Sequence, residues 1–341
     1  MATLTHASRE LFARSHDECF SSLSALAEHC RATKANSLDR WQPPQNLRPI
    51  ARDGELRLAV GDDGEFGLND WSFTQLCGLA RVSRETVNRV FPETAARIFT
   101  ETMPSGQKPL QVLTTDTTVR SIHGVSYTRL WNIELVNLVR EFATDFQPPQ
   151  QGIDGKTGLY AGEQDMFCFL IDPTGWIEIG GQAFAPGFFV WNSEVGKRSI
   201  GISTFWFQSV CANHIVWDAV NVVELARKHT AGVGGVLGEI RDTLHALVVR
   251  RDERRDGFVK VIEQAMREKL GNDAEEVLKE LARQGISKQH AKTAVEIAKQ
   301  SGRFSIFCLV DALTRIAGRL VNVGDRLELD AKAAQLLTLA L

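Results

Sequence analysis

Apolar positions recur at helical spacing at both ends of this chain and at alternating spacing through its middle. Leu11, Phe12, Cys19, Phe20, Leu23, Leu26 and Ala27 share one face of a helix drawn over residues 7–33, so an amphipathic helix is expected to open the chain. Trp41-Gln42-Pro43-Pro44 reads as an extended linker, because each proline fixes its own φ and disfavours helix in its predecessor. Strand patterns at 48–51 and 55–60 flank Arg52-Asp53-Gly54, which has the chemistry of a tight hairpin turn. Helical periodicity follows at 72–101, strand periodicity at 110–114 and 117–122, and helical periodicity again at 132–142. Residues 146–152, with Pro148 and Pro149, make the most linker-like segment.

The pattern is most distinctive at 187–217. Phe188 and Val190 on one side, and Ile200, Ile202, Thr204 and Trp206 on the other, flank the polar corner Asn192-Ser193-Glu194-Val195-Gly196. That arrangement predicts a long antiparallel hairpin at the centre of a sheet, led into by strands at 166–171 and 176–179. Its second strand runs on to Cys211-Ala212-Asn213-His214, and a helix is expected at 218–229. From residue 232 only helical patterns remain: 236–251, 257–270, 274–284, 288–300, 304–321 and a short one from Ala331. The expected class is α+β, a mixed or antiparallel sheet around the central long hairpin with a C-terminal helical region. Three regions are expected: 1–44 as N-terminal helix and linker, 45–231 as the α+β core, and 232–341 as the helical region.

Composition narrows the partners. With 43% hydrophobic and 24% charged residues, the chain has enough apolar content for a packed core. Its 39 basic residues against 42 acidic ones mean that any grip on a phosphate backbone must come from a local basic face. Six dispersed cysteines and no signal-like or membrane-length apolar stretch point to reduced thiols in a cytoplasm, with no membrane partner. Cys211 with His214 is a close pair without further ligands nearby, so neither metal nor cofactor is expected. Gly155-Lys156-Thr157 matches the end of a phosphate loop, but Gln150 stands where that loop requires its first glycine. With no nucleophile–base pattern and no carboxylate–lysine nuclease pattern, the reading is of a protein that is not an enzyme.

Several stretches bear on nucleic acid. Residues 72–91, preceded by Trp71, resemble the helix-turn-helix of the lactose-repressor type, with Arg84, Thr86, Asn88 and Arg89 on the second helix. Arg81 stands where that turn normally has glycine, and a plain helical hairpin packed on the sheet has the same spacing. A second pair, running from Val277 through Gly285 and Ser287 to Ile297, is similar to small three-helix modules that bind DNA backbone or protein tails, and equally to an insertion that packs on itself. The arginines of 250–255 suit phosphate contacts or a solvated helix face. On the central hairpin Trp191, Lys197 and Arg198 combine an aromatic ring with two cations, the pairing that single-strand binders use; for Phe205 and Trp206 beside them the core is the better reading, since alternate residues must face inward.

Taken together, the corner Asn192-Ser193-x-x-Gly196, the strand ending Cys211-x-Asn213, Arg227-x-His229, and Ser126-Tyr127 followed by Asn132-x-Glu134-Leu135 resemble a phage/plasmid-related family with a domain of unknown function, number nine hundred and thirty-two. The closing helices at 304–319 are similar as well, and the resemblance spans roughly residues 45–335. Where that family usually has Asn-Gly this chain has Asn213-His214, a departure at a tight turn. The resemblance implies residence on a mobile genetic element and no assigned activity. The leading expectation is a nucleic-acid-binding protein of a phage or plasmid, binding or annealing single-stranded DNA in recombination. The alternatives are a non-enzymatic protein-interaction factor acting on a host system, and a helix-turn-helix regulator using residues 72–91. A homo-oligomer is expected if the strands at 166–179 expose an edge.

Overall fold

The computed structural model describes residues 18–148, 158–209, 215–217, 224–300, 304–317, 320 and 323–340. The chain is α+β: a mixed sheet and an antiparallel sheet, each with helices on one face, followed by a run of helices.

Helix α1, Leu23–Ala35, is the described part of the expected opening helix and is capped by Ser22, whose hydroxyl accepts the Ala25 N–H. The first sheet is built from β1 (Ser37–Gln42), β2 (Leu47–Arg52), β3 (Glu55–Val60), β4 (Glu65–Leu68), β5 (Leu110–Thr115) and β6 (Thr118–His123). Its strand order is β1-β5-β6-β4-β3-β2, antiparallel throughout except for the parallel β4–β6 pair. Asp53 and Gly54 take φ of 54° and 78°, the left-handed pair that a two-residue hairpin turn demands. Residues 41–42, expected as linker, belong to β1, because Trp41 and Gln42 pair with Gln111 and Leu110 and the proline restraint begins only at Pro43.

Between β4 and β5 lie α2 (Asp70–Ala80), α3 (Arg84–Val87) and α4 (Pro92–Thr102). Asn69 and Ser72 form a reciprocal capping box at the start of α2, and Arg81 closes it in the left-handed region at φ 55°. These helices bury Leu76, Cys77, Ala80, Val87, Ala95 and Phe99 against Leu58, Val60, Val112, Val119 and Ile122 of the sheet.

After α5 (Asn132–Arg140) comes the second sheet: β7 (Leu159–Ala161), β8 (Met166–Ile171), β9 (Ile177–Ile179), β10 (Gln182–Asn192), β11 (Ile200–Ser209), β12 (Ile215–Trp217) and β13 (Glu224–Arg227). The path β12-β11-β10-β8-β7 puts the long hairpin β10–β11 at the centre, as its periodicity predicts. Of the strands at 166–179, β8 lies between β10 and β7, while β9 pairs with β10 alone among the described residues. The helix expected at 218–229 does not extend over residues 224–227, which are β13, paired with 200–203 of β11, where cross-strand pairing overrides a weak helical period. Residues 218–223 lie outside the described part.

Alternation along the hairpin divides the core in two. Phe188, Val190, Ile200 and Ile202 face α1, α5 and α6 (Val236–Val249). Further along the same face, Phe184 and Trp206 meet the helices α7 (Arg251–Arg267), α8 (Ala274–Arg283), α9 (Lys288–Gln300), α10 (Ile306–Ala317) and α11 (Val323–Leu337). The opposite face is an aromatic cluster of Tyr160, Phe167, Phe169, Phe189, Trp191, Phe205 and Phe207. The final helix begins at Val323, ahead of the expected Ala331. Gly285, at φ 75°, ends α8 as the Gly-Ser pattern anticipates.

Gly201 shows how closely this sheet is packed. It pairs with Trp191, and a Cβ there would collide with the Leu225 carbonyl and the Trp191 ring. The carbonyl is backbone and cannot yield. Gly201→Ala is expected to cost about 1–3 kcal/mol by overpacking, read as a lower urea midpoint at unchanged slope. An unchanged midpoint would show that the sheet opens at this point.

Candidate functional site: the buried hairpin corner and its exposed ledge

The corner joining β10 to β11 is polar in sequence yet buried in the fold: Asn192, Ser193, Glu194 and Val195 are at most 1% exposed. It projects from the second sheet onto the first, and its backbone carbonyls and most of its side-chain polar atoms are hydrogen-bonded there. Ser193 Oγ donates to the Gln164 carbonyl at 2.5 Å and accepts the Lys197 N–H at 2.9 Å, closing the turn on itself. Gly196 takes φ 69°, and a Cβ there would lie 2.7 Å from His123 Cε1 and 2.8 Å from Tyr127 Cε2, so glycine is required both for backbone and for space. Asn192 Nδ2 donates to the Leu130 carbonyl and to Asn132 Oδ1 at 2.9 and 2.8 Å.

Glu194 is the centre. One carboxylate oxygen pairs with Arg120 of β6 at 2.9 Å and the other accepts the Asn132 N–H at the start of α5, also at 2.9 Å. Its carbonyl accepts from the Tyr127 hydroxyl at 2.8 Å and from Arg129, which is itself paired with Asp39 of β1 at 2.6 Å. The next carbonyl, Val195, accepts from Trp71 Nε1 of α2 at 2.8 Å and from His123 Nε2 at 2.9 Å. The corner therefore ties both sheets and two helices together.

Around it stands a ladder of rings. His123 stacks on Tyr127 with centroids 3.7 Å apart, and His229 lies on beyond at 5.5 Å. Burial, then the nearby Arg129 charge, lowers the His123 pKa to about 4, so the ring is neutral at pH 7 and donates its Nε2 proton to Val195. Burial holds His229 below its ordinary value too, and raises that of the Tyr127 phenol.

The residues that carry the family resemblance thus come together: Asn192, Ser193, Gly196, Tyr127 and His229 all belong to this clasp, with Asn132 beside them. Cys211 and Asn213, like His214 and Gly155-Lys156-Thr157, lie outside the described residues.

The residues expected to meet nucleic acid separate into two groups. Trp191 is 6% exposed and stacked on Phe189 in the aromatic face, because odd-numbered residues of β10 point into that cluster; it is not a surface ring. Arg198 is paired with Asp165 at 2.5 Å, both side chains mostly buried, and is not a free phosphate contact. Lys197 is exposed, its ammonium 4.2 Å above the Trp71 ring. Arg84, Asn88 and Arg89 are exposed as well, with Arg84 paired to Asp70 and Arg89 to Glu85. The second helix of the expected helix-turn-helix is corrected: α3 is a single turn anchored by buried Val87, too short to lie along a major groove. Lys197 covers Trp71, and Arg84 pairs with Asp70, the residue before Trp71 at the start of α2.

Trp71, Arg120, Arg129 and Glu194 went unnoticed as site residues. Only Trp71 carried a signal, standing at the head of the helix-turn-helix stretch; a glutamate in a polar turn reads as solvated. Among the described residues no group of three or more His, Cys, Asp or Glu is placed to hold a metal ion, and no helix is long and apolar enough to cross a membrane. No protein-family model, curated protein or solved structure matches the chain.

Glu194→Gln keeps the acceptor for Asn132 but leaves the Arg120 charge buried without its partner. A loss of about 3–5 kcal/mol is expected in denaturant unfolding; a loss under about 1 kcal/mol would mean that water reaches the pair. The histidines set a pH dependence. Unfolded imidazoles take a proton near pH 6.5 while folded His123 stays neutral to about 4, so the unfolded state binds more protons between these values. Stability is then full above pH 6.5 and falls as pH drops toward 4, with His229 acting in the same direction. Stability measured at pH 7 and pH 5 should differ less in His123→Gln than in the wild type; equal differences would assign the dependence to other groups.

Proposed function

We propose that this chain is a non-enzymatic nucleic-acid-binding protein of a phage, plasmid or other mobile element, acting in the cytoplasm on single-stranded DNA, as in annealing during recombination. The observation that carries the reading is exposed Lys197, whose ammonium lies 4.2 Å over the Trp71 ring. With Arg84 of the helical pair, also exposed, it supplies surface cations on a chain whose overall charge is −3. A local basic face of this kind is what such a chain requires to hold phosphates. Asn88 and Arg89 extend the same exposed side. A nucleic acid phosphate competing for Arg84 displaces only a half-exposed carboxylate, an exchange of low cost.

The motif resemblance to the phage/plasmid-related family supports the mobile-element context, and its residues converge on the clasp that presents Lys197. Reduced thiols fit a cytoplasm: Cys19, Cys30, Cys77, Cys168 and Cys308 are unbridged.

Anisotropy titrations with labelled single- and double-stranded oligonucleotides at two salt concentrations test the reading. Single strands are expected to bind more tightly than duplex, and Lys197→Ala with Arg84→Ala to weaken binding and reduce the salt slope by about 0.7 per cation lost. Binding to neither form would remove the nucleic-acid reading and direct the search to a protein partner. A preference for duplex would remove the single-strand part.

A further inference from the structure

We infer that the lysine stripe of α9, made of Lys288, Lys292 and Lys299, is a second nucleic-acid surface, which holds the phosphate backbone of a strand whether that strand is paired or not. The inference rests on the nucleic-acid reading and adds to it a contact on the C-terminal helices, separate from Lys197.

The stretch from Val277 to Ile297 folds as two helices around a tight turn. Asp273 caps α8 by accepting the N–H groups of Glu275 and Glu276. At the other end of α8 the Ile286 N–H reaches back to the Leu281 carbonyl at 3.0 Å, Gly285 takes φ 75°, and Ile286 is buried. Ser287 then caps α9, its hydroxyl accepting the His290 N–H at 3.3 Å. The turn is fixed on both sides, so α9 has a set direction. It runs for 13 residues, about 20 Å, where α3 is a single turn. A helix of that length can follow a phosphate backbone.

One side of α9 belongs to the core: Ala291, Ala294, Val295 and Ala298 are buried there. Lys288, Lys292 and Lys299 are exposed. At about 100° per residue they fall within about 40° of one another, so they form a single stripe about 16 Å long.

What sets this stripe apart is its missing counter-charge. On α8 Lys279 pairs with Glu275 and Arg283 with Glu280; on α10 Arg315 pairs with Asp311, and on α11 Lys332 with Glu328. Lys288 and Lys292 pair with no acid among the described residues, and the first turn of α9 contains none. Only Lys299 has a partner, Glu296 at 2.7 Å. Like charges four residues apart on a helix repel, so the pair works against α9 while it stands alone. A polyanion laid across both lysines turns that repulsion into attraction.

The exposed residues of α9 are Lys, Gln, Thr and Glu, with no aromatic ring on which a base could stack. A lysine ammonium is a point charge on a flexible stem, suited to a phosphate in any local geometry. The stripe therefore reads backbone charge and not base sequence, and takes duplex as well as single strand.

The test is an anisotropy titration of the full-length protein with labelled duplex and single-stranded oligonucleotides over a range of salt concentrations. Lys288→Ala with Lys292→Ala is expected to weaken duplex binding about tenfold at low salt, and to reduce the salt slope by about 1.8 on duplex and about 1.4 on single strands, with the unfolding midpoint unchanged. Lys288→Arg with Lys292→Arg is expected to keep the binding of the wild type within about twofold, since the charge is retained. Lys279→Ala, which removes a cation already paired on α8, is expected to leave affinity within about twofold as well. If the double alanine variant binds both forms like the wild type while Lys197→Ala weakens binding, the stripe is overturned and the nucleic-acid reading stands. A loss from Lys279→Ala as large as that of the lysine pair also overturns the stripe, because the effect is then one of net charge. If the wild type binds neither form, both fall together.

Discussion

The carboxylate of Glu194 is the buried charge that joins one sheet to the other, pairing with Arg120 of the first sheet while it accepts the Asn132 N–H of α5. Its side chain is 1% exposed and that of its partner Arg120 is 9% exposed, so both charges have given up water and depend on each other and on the surrounding donors. A pair of this kind adds little net stability over an apolar substitute, but it is intolerant of misplacement. A slip of one residue in β10–β11 would turn Glu194 to the wrong face and leave two buried charges alone. The ion pair is best understood as fixing the register of the hairpin against the first sheet, with Ser193 and Gly196 shaping the turn that delivers it.

That constraint decides what the surface can do. The hairpin is buried on both faces, by helices on one side and by its own aromatic cluster on the other, so it has no open strand surface on which a ligand can lie. Its contribution to the exterior is made at the corner, where Lys197 emerges past the clasp onto Trp71. The first sheet behaves differently. Helices cover one of its faces, and the other, on which Gln111, Leu113 and Ser121 are buried, meets the hairpin corner through His123.

Much of this was legible along the chain. The hairpin at β10–β11, the β2–β3 turn at Asp53-Gly54 and the helices after residue 232 follow from periodicity and turn chemistry alone. These depend on neighbours in sequence, which is why a linear reading finds them. The segments at 41–42 and 224–227 were misread for the converse reason: each is strand only because a partner far along the chain supplies its hydrogen bonds.

The candidate site divides the same way. The sequence by itself determined that Asn192, Ser193 and Gly196 form a tight polar corner. Only the tertiary structure decided that the corner is buried, that Trp191 and Arg198 face inward, and that Lys197 sits over Trp71. The reason is physical. Turn conformation is a property of a few consecutive residues, whereas burial and charge pairing depend on which distant surface closes over them, and residues near 120, 129 and 194 meet only once both sheets have formed.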